Sequence, residues 1–264
     1  MTNHRLGRIV EHDPRSRQYK FDTSGIEVRS VKHRRVIPVL DQGDLGSCVG
    51  NAVVGALGTD PFYATVADII LDQAVAVDIY SDATKLDEFP GAYPPIDTGT
   101  SGLAGAKAAK NLGFISGYTH TFSFIDALKA LTTTPVITGI NWYESFDFPR
   151  PGGMVDLDGN VLGGHEVVLD EISAELGLIG ATNSWGSSWG NRGRFYIKFE
   201  DYERLLDEQG DVTVFTPLTE PAPIPVPNPD AEFAVVLHKW LNKHPWFYKN
   251  VQTAAKTWLA AKSL

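Results

Sequence analysis

Just past residue 48, apolar residues recur at three- and four-residue spacing: Val49, Ala52, Val53, Ala56 and Leu57. That period predicts a helix that opens at Cys48 and turns one face inward. A second stretch with helical periodicity covers 64–80. GLAGAKAAKNL at 102–112 predicts a short alanine-rich helix stopped by Gly113, and FIDALKAL at 124–131 predicts another. The pattern then changes. PVITGINWY (135–143), HEVVLDEI (165–172), LGLIGATNSW (177–185), GRFYIKF (193–199) and DVTVFTP (211–217) are short, rich in β-branched or aromatic residues, and mostly parted by glycine turns. Helices first and strands later predict an α+β protein with two segregated lobes.

The two ends follow other patterns. Residues 1–36 are polar and basic with scattered apolar positions, as an extended arm lying on the body would be. A body domain then spans 37–216. Residues 217–230 form a linker, with six prolines between 217 and 229 that keep it extended and semi-rigid. Helical spacing returns over 231–264, with a break or restart at Pro245. Phe247, Val251, Ala254, Ala255, Trp258 and Leu259 fall on one face of that tail.

Composition narrows the class. Apolar residues make up 43 % and charged residues 21 %, which suffices for an ordinary core without metal or disulfide staples. The net charge of −9 argues against nucleic acid as the main partner. The tail, with five lysines and one glutamate, is basic while the rest is acidic. It is expected to dock on its own chain, to join a protein partner, or to self-associate; a membrane role is disfavoured because the lysines are not clustered. The first residues hold no apolar signal core, and no apolar run reaches the roughly 18–20 residues of a membrane span. With a single cysteine and so no internal disulfide, a cytoplasmic setting is expected, with association with a virion as the alternative.

That one cysteine closes the stretch QGDLGSC at 42–48. A thiol at a helix N-terminus gains thiolate character, because the free N–H groups and the helix dipole favour negative charge. Gly43 and Gly46 allow a tight presenting loop, and Gln42 can turn its amide toward a developing oxyanion. The plainer alternative is that Cys48 is a buried small hydrophobe. Partners downstream decide between the two. GGHEVV (163–168) sets His165 at the start of a strand after two glycines, and NSWGSSWGNRG (183–193) sets Asn183 at the end of the next, two residues before Trp185. An imidazole can take the thiol proton, an amide oxygen can fix the ring, and an indole can shield their hydrogen bond.

These blocks resemble the papain-like cysteine peptidases. Gln42, Gly46, Ser47 and Cys48 come first, then Gly164–His165, then Asn183–Ser184–Trp185–Gly186 with Trp189, Gly190 and Gly193, in the family's order. The resemblance covers about residues 30–217. It implies a two-lobed fold, with a helical left lobe, a barrel-like β-rich right lobe and a cleft between them. It implies Cys48 as nucleophile, His165 as base and later acid, Asn183 as orienting residue and Gln42 as oxyanion donor. Gly99, Ser101, Gly163, Gly164 and Trp185 are expected at the substrate, with room beside Gly163 and Gly164 for a large apolar side chain. No metal or cofactor is called for. Val49 stands where the family has an aromatic residue, the left-lobe disulfides are absent, and the glycine-rich cleft wall is matched only by Asp97-Thr98-Gly99-Thr100-Ser101-Gly102. Glu166 replaces a small apolar residue; strand alternation points it away from His165, and if buried it needs a partner. The short arm resembles that of bacterial or phage-type members. The expected activity is peptide-bond hydrolysis through a thioacyl-enzyme, on protein or peptide substrates. A cell-wall peptide hydrolase is one alternative, and an assembly protein that keeps the fold as a scaffold is the other. Asp156 and Asp158 in DLDGN are read as a turn rather than a calcium loop.

Overall fold

A computed structural model describes residues 5–12, 20–66 and 69–218. The linker from residue 219 onward and the helical tail at 231–264 lie outside the described residues.

The helical lobe is built on α1 (Cys48–Leu57), which is buried along its whole length. It packs against α3 (Gln73–Ala83) and α4 (Gly102–Asn111). The apolar stretch expected over 64–80 is two helices: α2 (Tyr63–Val66) ends early, and α3 restarts after Asp72. The restart has a local cause, since the Asp72 carboxylate accepts from the N–H groups of Ala74 and Val75 at 2.9 and 3.1 Å. Ser101 caps α4 in the same way, through Ala104 N–H at 3.0 Å. Ser47, at the start of α1, makes no such side-chain cap, which leaves that helix end to the site.

The β lobe is one antiparallel sheet. Its strands are β1 (Val31–Lys32), β2 (Gly117–Thr121), β3 (Val136–Tyr143), β4 (Val161–Ser173), β5 (Leu178–Thr182), β6 (Arg194–Lys198) and β7 (Asp211–Thr216). Their order is β2-β7-β3-β4-β5-β6, with β1 on β4 through Val31 opposite Ile172. Helices α5 (Phe124–Thr133) and α6 (Phe199–Asp207) pack on this lobe. Its core centres on Trp142, Phe146, Trp185, Trp189 and Phe195, with Ile140 and Val167 beside them. The five expected strands are present, while β1, β2 and α6 were not anticipated. In the register of β3 on β4, Ile140 faces His165 and Gly139 faces Glu166. The DLDGN segment turns, with Asp158 N–H on Asp156 O at 3.0 Å, and Asp156 pairs with Arg150 at 2.7 Å.

Candidate active site

Cys48 is the first residue of α1 and is fully buried. Its loop is tied to the segment that follows β5: Gln42 N–H donates to Ser184 O at 2.9 Å, and Ser184 Oγ donates to Gln42 Oε1 at 2.7 Å. On the helical side, Gly46 N–H donates to the Asp97 carboxylate at 3.0 Å, and Tyr80 donates to the same group at 2.5 Å. The loop is thereby fixed to both lobes.

His165 projects from β4, is also fully buried, and lies 2.7 Å through Nε2 from Asn183 Oδ1. An amide oxygen accepts, so Nε2 carries the proton and Nδ1 is the acceptor of the neutral ring. Trp185 tilts over the imidazole at 5.0 Å between ring centres, and Trp142 meets it edge-on at 4.7 Å. These two indoles pack on the His165 ring, the position from which a shielding residue was expected to act. Trp185 also packs on Trp142 and Trp189 of the aromatic cluster.

The arm brings the remaining expected residues together. Residues 5–12 run between the two lobes, bonded to Thr100 on the helical side and to Gly164 on the β side. Gln42 Nε2 donates to Arg5 O at 2.9 Å and to Leu45 O at 2.8 Å. Leu6 fills the space that Gly163 leaves, since a Cβ there would come within 3.1 Å of it. Gly7 crosses Gly46 so closely that a Cβ on Gly7 would overlap Gly46 O, and one on Gly99 would overlap Gly7 O. Thr100 N–H donates to Gly7 O and Ile9 N–H to Thr100 O, both at 2.8 Å, in a parallel bridge. Arg8 N–H donates to Gly164 O at 3.1 Å. Ser101 Oγ donates to the Glu11 carboxylate. The arm therefore touches Gln42, Gly99, Ser101, Gly163 and Gly164. Thr100, which holds it by two backbone bonds, was expected only as part of the cleft-wall stretch 97–102, because backbone pairing leaves no mark on side-chain type.

The thiol differs from expectation for the same reason. Burial pushes Cys48 up to about 12; the Glu166 N–H opposes this, the Glu166 carboxyl adds to it, and the N–H groups of Gly7 and Val49 also oppose it. A helix N-terminus alone was expected to lower the value. With Gly7 laid against the thiol, desolvation outweighs the dipole.

Glu166 is buried, and among the described residues neither of its carboxyl oxygens has a hydrogen bond. Its nearest charges are Asp211 and Arg8, and burial, with Asp211 adding and Arg8 opposing, raises its carboxyl well above the ordinary value.

The chain has the papain-like fold. Xylellain, a cysteine protease from Xylella fastidiosa, superposes with a TM-score of 0.63 at 17 % identity, over 81 % of this chain and 96 % of that one. Digestive procathepsin L 3 of Tenebrio molitor larval midgut gives 0.59 at 14 % identity, over 81 % and 76 %. The Carica candamarcensis cysteine protease CMS1MS2, solved in complex with E-64, gives 0.51 at 17 % identity, over 70 % and 95 %. No protein-family model and no curated protein matches the sequence.

Proposed function

We propose that this chain is a cysteine peptidase whose cleft is covered by its own residues 5–12. The observation that carries the reading is the 2.7 Å His165–Asn183 bond, sealed by two indoles, on the strand residue next to Glu166, whose N–H faces the Cys48 thiol. Once the arm leaves, His165 Nδ1 takes the thiol proton and the sulfur attacks a peptide carbonyl carbon. The Gln42 amide, which now holds Arg5 O, is free to donate to the oxyanion. The imidazolium returns its proton to the leaving amine, and water, deprotonated by the same ring, hydrolyses the thioester.

The test is a mixed peptide library incubated with a Gly7→Val chain, in which the new side chain cannot fit against Gly46, with cut sites read by mass spectrometry. Cleavage that disappears on adding Cys48→Ala supports the reading; no cleavage from an arm-free, folded chain would defeat it. A second reading, a fold kept as a scaffold, is favoured by one observation: the thiol is wholly buried under the arm. The same library separates the two.

A further inference from the structure

Among the described arm residues, Arg8 is the only one whose side chain is buried in the body. Its guanidinium is fully buried, 2.9 Å from Asp211 Oδ2 and 2.9 Å from Gln209 O. The chamber around it is cut to shape by two missing side chains. A Cβ on Gly139 would overlap Arg8 Nε, and a Cβ on Gly102 would come within 2.9 Å of Glu166 Oε1. Glu166 and Asp211 supply the acid. Each is on a different strand, β4 and β7, so the chamber belongs to the rigid sheet and not to the arm.

Two features mark the chamber as a receptor rather than a plain internal ion pair. Its charged occupant enters from the cleft, on a backbone held by Gly164 on one side and Thr100 on the other. Its acid is also only half used. Glu166 is 1 % exposed, and neither of its carboxyl oxygens has a hydrogen bond among the described residues; the same holds for Arg8 Nε and Nη1. A guanidinium carries five N–H donors in a planar fork, and a second carboxyl within the chamber is an acceptor for them. Against the burial that would raise it, Arg8 and His12 hold the Asp211 carboxyl below its ordinary value, so Asp211 carries the charge that meets the cation.

We infer that the chamber bounded by Gly102, Gly139, Glu166 and Asp211 is a guanidinium-binding specificity pocket, and that peptides entering the cleft are selected for an arginine at the position Arg8 now fills. Selection among substrates rests on the peptidase reading; binding in the chamber does not. Glu166 directly follows His165 on β4, so the residue that reads the side chain and the residue that serves the thiol are set by the same strand. A lysine fits the charge but presents one point donor group where the chamber offers two carboxyls and a carbonyl.

The test uses the full chain with Arg8→Ala and the peptide RLGRIVEH, a copy of residues 5–12, against the same peptide with leucine in place of the arginine that corresponds to Arg8. Binding is read by anisotropy of the labelled peptides and by protection of Cys48 from iodoacetamide. The arginine peptide should bind about ten- to a hundredfold tighter, the range that hydrogen bonds to charged groups give. Adding Asp211→Asn should reduce the difference to less than about threefold. Equal binding of the two peptides, or a preference that survives Asp211→Asn, overturns the inference. If the Arg8→Ala chain lacks native circular dichroism, Gly7→Val displaces the arm while leaving both carboxyls in place, and the same comparison is made there. The peptide library keeps the two readings apart. Arginine preference in binding without any cleavage defeats the peptidase reading alone. Cleavage with no arginine preference defeats the pocket alone.

Discussion

His165 and Glu166 are neighbours on one strand, and their side chains leave it in opposite directions into unlike surroundings. His165 sits in a box of indoles and is hydrogen-bonded to Asn183. Glu166 faces an ionic chamber whose cation belongs to the arm and whose acceptors are not all used. The first environment is complete within the body. The second is complete only when something from the cleft enters it. Apolar walls fix geometry permanently, whereas buried charge makes a site depend on its occupant, because either partner left alone is costly to keep from water.

The largest expected effect breaks the sealed side. In a Gly7→Val background, His165→Ala should remove peptide cleavage to the level left by Cys48→Ala, measured by library mass spectrometry; cleavage that survives would show that the box serves packing only. Next comes the covered thiol. Its value of about 12 means that thiolate appears only as pH rises toward that value, about one molecule in ten thousand at pH 8, whereas an ordinary thiol near 8.5 gives about one in four. Iodoacetamide should therefore label the wild-type chain on the order of a thousandfold slower at pH 8 than Gly7→Val, and a wild-type rate equal to that of a free thiol would mean the arm does not cover the sulfur.

A smaller effect concerns Gln42. Gln42→Ala in the arm-displaced chain should lower kcat by about a hundredfold with little change in KM, the loss associated with one oxyanion donor. An unchanged kcat would place that donor elsewhere. The smallest effect lies at Ser101, which caps α4 and donates to Glu11 of the arm. Ser101→Ala should cost about 1 kcal/mol, a fall in Tm of roughly 2–4 °C by calorimetry. It should also quicken Cys48 labelling modestly, which a purely structural cap would not do.

Much of this was legible beforehand. The change from helical to alternating periodicity near residue 135 separates the lobes, and β3 to β7 include every strand expected from it. Cys48, His165 and Asn183 stand in short glycine- and tryptophan-marked blocks, so local pattern alone singled them out. What escaped had no local mark. Helix α6 buries only Tyr202, Leu205 and Leu206 amid charged residues, too short a stripe to stand out. Strand β2, GYTHT, borrows its order from β7. The arm's seat depends on backbone meeting backbone at Gly7 and Gly46, and the ionic chamber on residues 8, 166 and 211, which only the fold brings together. The need of a buried Glu166 for a partner was foreseeable from its position; the identity of that partner was not.

The way Gly7 crosses the thiol has a consequence for the arm's own survival. The sulfur meets an amide N–H of Gly7, while the carbonyl of that residue is turned to Thr100 and the carbonyl held by Gln42 belongs to Arg5, two residues away. Sulfur and amide donor thus engage different peptide units, and no single acyl carbon is presented to both. On the proposed peptidase reading, the arm lies across the site as a ligand and not as a scissile bond, so the chain would not consume its own cover.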